Sequence, residues 1–168
     1  YHEAIDWAYS LGLMNGTSEP PFEPLATTSR AMVVQVLYNM SDRPRVYVQR
    51  AFDDVVEGQW YYDAVNWAKA VGVCNGTSET EFSPNDPVTR EQLAAILYRY
   101  AQHKGYDVSA GNDTNILSFD DAFAVSEYAI PAMQWACGSG MVRGIAQKGG
   151  MLLAPRDTTT RAQTATLL

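Results

Sequence analysis

The sequence predicts an all-α fold made of three helix-loop-helix units that share one core, and three observations carry that expectation. The chain repeats itself every 60 to 71 residues. Each repeat holds apolar side chains at helical spacing, and the second helix of every repeat opens on the same capping signal followed by arginine.

The register of the repeat is explicit. Adding 60 to a position in the first segment gives its counterpart in the second: Trp7 and Trp67, Gly12 and Gly72, Asn15-Gly16-Thr17 and Asn75-Gly76-Thr77, Phe22 and Phe82, Arg30 and Arg90. A third copy follows at a spacing of 68, through Trp135, Gly140 and Gly144, and then at 71, through Pro155 and Arg161. The shift of three is an insertion within Ile145 to Leu153, where Lys148-Gly149-Gly150 marks a longer turn. The domain boundaries that follow are repeat 1 over 1–42, a linker over 43–51, repeat 2 over 52–104, a linker over 105–118 and repeat 3 over 119–168.

Taken in order, the first helix of the clearest copy is expected from Tyr61 to Val73, with Ala64, Val65, Ala68 and Val71 on its apolar side and Gly72 and Gly76 as candidate stops. A loop rich in Asn, Gly, Thr, Ser and Pro follows, in which Phe82 should pin the chain to the core. The second helix, from Arg90, places Leu93, Ile96, Leu97 and Tyr100 on one stripe; Val33, Val36 and Leu37 do the same in repeat 1. Repeats 2 and 3 also carry an aromatic-acidic lead-in, Phe52-Asp53-Asp54-Val55 and Phe119-Asp120-Asp121-Ala122. Trp60 follows the first and Tyr128 stands in its place after the second; repeat 1 has no such segment. A helix pair of about 40 residues buries too little surface to fold alone, so the units should share a core.

The helix starts hold the candidate chemistry. Thr89 with Gln92 and Thr160 with Gln163 are spaced as capping boxes, whereas Ser29 can cap but Met32 cannot close the box. The residue after each cap is Arg30, Arg90 or Arg161. A cation there faces the positive end of the helix dipole, at a cost of about 0.3–1 kcal/mol. One explanation is a site for a carboxylate or phosphate, bound by the guanidinium and by free helix amides together. The other is that each arginine leans away to pair with an Asp or lies on a neighbouring ring.

Composition narrows the function. A net charge of −7 gives no basic face for nucleic acid. No apolar run approaches membrane-spanning length, so membrane insertion is not expected. The chain begins and stops inside helical patterns and is expected to be part of something longer. Cys74 and Cys137 lack CxxC spacing and a His cluster and read as small core hydrophobes. His2 and His103 suit solvent better than catalysis, and the paired acids at 53–54 and 120–121 are sequence neighbours suited to caps or turns, so no enzyme, cofactor or metal site is expected.

With Phe-x-Asp-Val, Trp, Gly-x-x-Asn-Gly, Phe-x-Pro and Thr-Arg-Glu in fixed order, repeat 2 resembles an S-layer homology (SLH) domain, and the chain resembles three of them in tandem. The resemblance implies a pseudo-threefold arrangement around a shared helical bundle. It also implies an exported protein on the bacterial cell surface, held non-covalently by a secondary cell-wall polysaccharide bearing pyruvate-ketal N-acetylmannosamine. The ketal is a carboxylate, which joins the resemblance to the arginine pattern. By that likeness Arg30, Arg90 and Arg161 grip the anion beside backbone amides near Gly16, Gly76 and Gly144, Asp54 and Asp121 accept from sugar hydroxyls, and Trp60 stacks on a sugar face or packs at the hub of the bundle. Glu91 is assigned only an electrostatic role at its helix start. Arg90→Ala is then expected to weaken wall binding without lowering stability. The usual Thr-Arg-Ala-Glu signature is degraded in all three repeats, and Arg143 replaces the loop Asn in the third, so unequal sites are expected. The alternative is a structural or assembly module that contacts protein rather than glycan.

Overall fold

A computed structural model of the chain describes residues 2–10, 12, 23–47 and 50–168. Its helices are α1 (His2–Ser10), α2 (Arg30–Met40), α3 (Tyr62–Ala70), α4 (Arg90–His103), α5 (Ile130–Gly138) and α6 (Arg161–Leu167), and its strands β1 (Ile145–Gln147) and β2 (Gly150–Leu152) form a single hairpin. The all-α expectation holds. The described chain forms two compact units, Tyr1–Val88 with Thr158–Leu168, and Thr89–Asp157.

In the first unit α2 packs on α3 and α1 on α6. The apolar stripe of α2 is buried as its spacing requires, with Val33, Val34 and Leu37 at 0% exposure, and Phe52, Val55, Val65 and Phe82 close the same core. Tyr38 of α2 meets Trp67 of α3 with ring centroids 5.6 Å apart. Ala8, Val36 and Ala165 form a smaller cluster beside it. In the second unit α4 packs on α5, and Tyr98 meets Trp135 at 5.6 Å, repeating the Tyr38–Trp67 pair. Trp7, the counterpart of Trp67 and Trp135, is 44% exposed.

The helix ends follow their local chemistry. Gly12, Gly72 and Gly140 all take positive φ (64°, 76° and 75°), which lets the chain leave the first helix of each repeat. The expected end of α3 at Val73 comes three residues early for this reason, and Gly76, not at positive φ, is no helix stop. The second helices start where the caps predict: Thr89 and Thr160 make full capping boxes, and Ser29 accepts from the Met32 amide alone.

Two features add detail that the sequence reading did not give. The longer turn expected in repeat 3 is the tip of the β1–β2 hairpin, which pairs Ile145 with Leu152 and turns through Gly149 at φ 100°. The segment 105–118, read as a linker, holds a 3₁₀ turn at Ser109–Gly111 packed against α5. Gly111 and Gly138 have no room for a side chain in that packing: a methyl at Gly111 would stand 3.0 Å from the Trp135 amide, and one at Gly138 would strike the Thr114 hydroxyl and the Ala110 carbonyl.

Candidate functional site

At every second-helix start, the amides expected to be free are occupied. The first two amides of α2 donate to Asp86 and Pro84 (both 3.0 Å), those of α4 to Asp157 and Pro155 (both 2.9 Å), and those of α6 to Ala26 and Pro24 (2.9 and 3.0 Å). The third is held by Ser29, Thr89 or Thr160. Each set of carbonyls belongs to a different repeat: the first repeat bonds the second, the second the third, and the third the first. Within the first unit the residues just before the caps extend this into a three-membered ring, in which Thr28 N–H donates to Thr159 (2.9 Å), Thr159 N–H to Val88 (3.1 Å) and Val88 N–H to Thr28 (2.9 Å). Buried Thr28, Thr159 and Thr164 share hydroxyl contacts beside it. The helix amides therefore cannot form the anion site that the sequence suggested.

The arginines follow the same order. Arg30 is 4% exposed; its Nε donates to the Phe82 carbonyl and its Nη2 to the Asn75 carbonyl, both at 2.9 Å, and the guanidinium lies 4.8 Å from the Phe82 ring centroid. Arg90 repeats this one repeat later, donating from Nε to Leu153 (2.8 Å) and from Nη2 to Arg143 (3.3 Å). Asn75 and Arg143, and Phe82 and Leu153, are counterparts in the repeat register. Arg161 is 3% exposed, and burial lowers its pKa against the opposing pull of Glu23. Its Nη1 lies 3.7 Å from the Met32 sulfur. Carbonyl dipoles from a neighbouring loop thus offset the charges of Arg30 and Arg90, and a stacked ring supports Arg30. Arg90 bonds two loop carbonyls, so Arg90→Ala is now expected to lower stability as well as binding.

Asp54 and Asp121 clamp loop backbone. Asp54 accepts the Phe82 amide on Oδ1 (2.8 Å) and the Ser83 amide on Oδ2 (2.6 Å), and Asp121 accepts those of Leu153 and Ala154 (both 2.7 Å). Ser83 and Ala154 sit at positive φ (58° and 49°), as does Glu23 (41°), the counterpart in repeat 1. The clamps hold a backbone turn that a side-chain-bearing residue enters only at a cost.

Gly76 and Gly144 lie under the lead-in rings. A methyl at Gly76 would stand 2.6 Å from the Phe52 ring and collide with the Ser78 and Glu81 carbonyls; at Gly144 it would stand 2.5 Å from the Phe119 ring and 2.7 Å from the Met151 methyl. The missing side chain makes room for a ring of the same repeat in both cases. Gly76→Ala and Gly144→Ala are each expected to cost about 2–3 kcal/mol, the first because backbone carbonyls must shift and the second because the Phe119 ring stands nearer than the movable Met151 tip; urea unfolding midpoints measure both. Gly16 lies outside the described residues.

Trp60 is 55% exposed, edge-on to buried Tyr61 at 5.2 Å, so it does not pack at a hub. Tyr128, its counterpart, is 51% exposed. Glu91, given only a minor role from sequence, is 6% exposed and accepts the Ser126 amide (2.9 Å) and hydroxyl (2.8 Å), fixing the turn that leads into α5. Ala31 and Ala162 occupy its place in the other repeats, so the register gave no signal for it. Glu91→Gln should cost about 1.5–3 kcal/mol, the range for a hydrogen bond to a charged group, read from thermal or urea unfolding. Neither cysteine is in a disulfide: Cys74 is buried, and burial raises the pKa of the half-buried Cys137 thiol.

Residues 1–31 and 51–94 match the S-layer homology domain. The chain belongs to the S-layer homology family. It is 30% identical over 159 residues to the surface-layer 125 kDa protein of Lysinibacillus sphaericus, covering 95% of this chain and 13% of that one. It is 26% identical to the amylopullulanase of Thermoanaerobacterium thermosulfurigenes, over 99% of this chain and 9% of the relative, and 26% identical to exoglucanase XynX of Acetivibrio thermocellus, over 99% and 15%. The chain therefore spans a small part of each relative. The aspartate clamp of the matched segment 51–94 recurs outside it at Asp121, and Arg90 within that segment bonds residues of the third repeat.

Proposed function

We propose that this SLH module holds its parent protein on the bacterial cell wall by binding an anionic secondary cell-wall polysaccharide, with pyruvate-ketal N-acetylmannosamine as the recognised unit. Anchoring at the cell surface is the function of the family, and surface-layer and cell-surface proteins are among the relatives. No described helix is long and apolar enough to cross a membrane. The module is a binding element, and the activity of the parent protein lies with the rest of that protein.

One observation carries the anionic part of the reading. Arg30 and Arg90 bond to carbonyl dipoles, and among the described residues no carboxylate pairs with either, so each retains its net positive charge. Their Nη1 groups make no hydrogen bond among the described residues, and neither does the Gly76 amide beside Asn75. A carboxylate approaching that edge meets a guanidinium whose orientation the loop has already fixed, which lowers the entropic cost of binding. One such contact contributes on the order of 1.5–3 kcal/mol, and several sites on a repetitive polymer raise retention by roughly 10²–10⁴. Arg161 is their counterpart in the third repeat, where Glu23 and the Met32 sulfur lie against it. Asp54 and Asp121 support this arrangement by holding the loop, and half-exposed Trp60 stacks on a sugar ring in this reading.

The test is sedimentation with wall carrying the pyruvylated polymer against wall stripped of it. Loss of binding on stripping is expected. Equal retention on both would favour the assembly module, a reading to which the internal bonds of the arginines lend weight. Trp60→Ala separates binding from folding: the half-exposed ring should change stability by less than about 0.5 kcal/mol while weakening polymer binding about fivefold to tenfold, measured by calorimetric titration.

A further inference from the structure

The second unit opens a cleft of about 560 Å³ between segment 112–117 and the start of α5, remote in sequence from the residues that hold the arginines. Its wall is preformed. Asn115 accepts the Leu117 amide on its own side chain (2.8 Å), the Thr114 hydroxyl donates to Ala110 (2.6 Å), and Gly111 and Gly138 lock the segment against α5. At the mouth stands Phe123, 93% exposed, with Leu117 at 64% and Ile130 at 38%. Nothing in the fold requires that phenyl ring: its counterpart in repeat 2 is Val56. A mostly apolar cleft with a few convergent polar groups marks a binding place more often than a packing defect.

The polar groups define the guest. Asn115 uses its side-chain oxygen internally and keeps its amide N–H₂ as a donor, whereas Gln134 uses its N–H₂ on the Thr114 carbonyl (3.1 Å) and keeps its oxygen as an acceptor. Asp113 is the charged residue of the lining and adds acceptors without a cation to answer them. A donor, acceptors and an open aromatic face suit a pyranose, whose C–H face lies on a ring while its hydroxyls both give and take hydrogen bonds. The negative charge disfavours an anionic sugar.

We propose that this cleft binds an uncharged pyranose of the wall polymer, as a second subsite whose preference is opposite in charge to that of the arginines. The identity of the polymer rests on the anchoring reading, but the chemistry of the cleft does not. The test is an NMR titration of the whole chain with two probes, the methyl glycoside of N-acetylmannosamine and its pyruvate ketal. The uncharged probe is expected to move the Asn115 and Gln134 side-chain amide signals. Phe123→Ala and Phe123→Leu should weaken it about fivefold or more, and Phe123→Trp should retain it; a ring so exposed can be replaced without unfolding the chain. Absence of those shifts at tens of millimolar overturns the proposal. So does a leucine variant that binds as well as the parent, because the cleft would then want only an apolar surface. Filling of the cleft by the uncharged probe, while the ketal leaves the Gly76 amide unmoved, would support the subsite and sink the anchoring reading; the reverse pattern overturns the subsite alone.

Discussion

Replacing Arg30 by alanine should lower the unfolding free energy by about 3–5 kcal/mol, through two lost bonds from a charged donor and a vacated buried volume. The side chain is 4% exposed and ties the first repeat to the loop of the second at two carbonyls, Phe82 and Asn75. Truncation leaves both carbonyls without that donor and uncovers one face of the Phe82 ring, whose centroid lies 4.8 Å from the guanidinium. Lysine is the informative second variant. It keeps the charge and most of the stem but has no planar fork, so it can serve one carbonyl at best, and its compact ammonium is costlier to bury. Arg30→Lys should therefore remain well below the parent, with about half or more of the alanine loss. Arg90→Ala should follow the same pattern with a smaller loss, since Arg90 is only partly buried and its Nη2 contact is longer, at 3.3 Å. Urea unfolding midpoints of the three variants decide the matter. An Arg30→Ala protein within about 0.5 kcal/mol of the parent would show that the fork does not bind the repeats together.

The sequence carries the periodic part of this fold well and the relational part poorly. Leu93, Ile96, Leu97 and Tyr100 are buried because helical spacing leaves them no other side to face, and Thr89 and Thr160 cap because a hydroxyl before a helix can reach its third amide. Such facts are local and can be read from a window of residues. Register also shows that Arg30 and Arg90 are equivalent, but not whose loop each one meets. Equivalence is the same whether the contact is made within a repeat or across to the next, and the structure uses both: the aspartates bond within their own repeat, the arginines across. That is why the positive charge at a helix start looked unanswered, when carbonyl dipoles distant in sequence were answering it. Trp60 and Tyr61 show a second limit. Adjacent aromatics cannot both face inward, and the phase of the following helix sends Tyr61 in and leaves Trp60 out. Glu91 belongs to a single repeat, so register gave no sign of its role, and register located the insertion at 145–153 without showing that its arms pair as strands.

The aspartate clamps predict the other large effect. Asp54→Ala and Asp121→Ala should each cost about 3–5 kcal/mol, since each removes two charge-assisted bonds to consecutive amides. The loss should exceed that of an ordinary capping residue because of what the clamp holds. Ser83 and Ala154 occupy positive φ without being glycine, at an intrinsic cost of roughly 1–2 kcal/mol, and the carboxylate is what makes that conformation the favoured one. Asparagine retains one acceptor oxygen but turns an N–H₂ group towards the second amide, so Asp54→Asn should fall between alanine and the parent or match alanine. The clamp also couples to the arginine. Asp54 positions the same Phe82 whose carbonyl receives Arg30, and Asp121 the same Leu153 whose carbonyl receives Arg90. Once the loop is released, removing the arginine should cost less, so the double variant Asp54→Ala/Arg30→Ala should be more stable than the sum of the single losses by about 1 kcal/mol or more. Strict additivity in that cycle would mean that aspartate and arginine act on the loop independently, and the loop would then not be the rigid presenter of a fixed guanidinium on which anion recognition by these repeats depends.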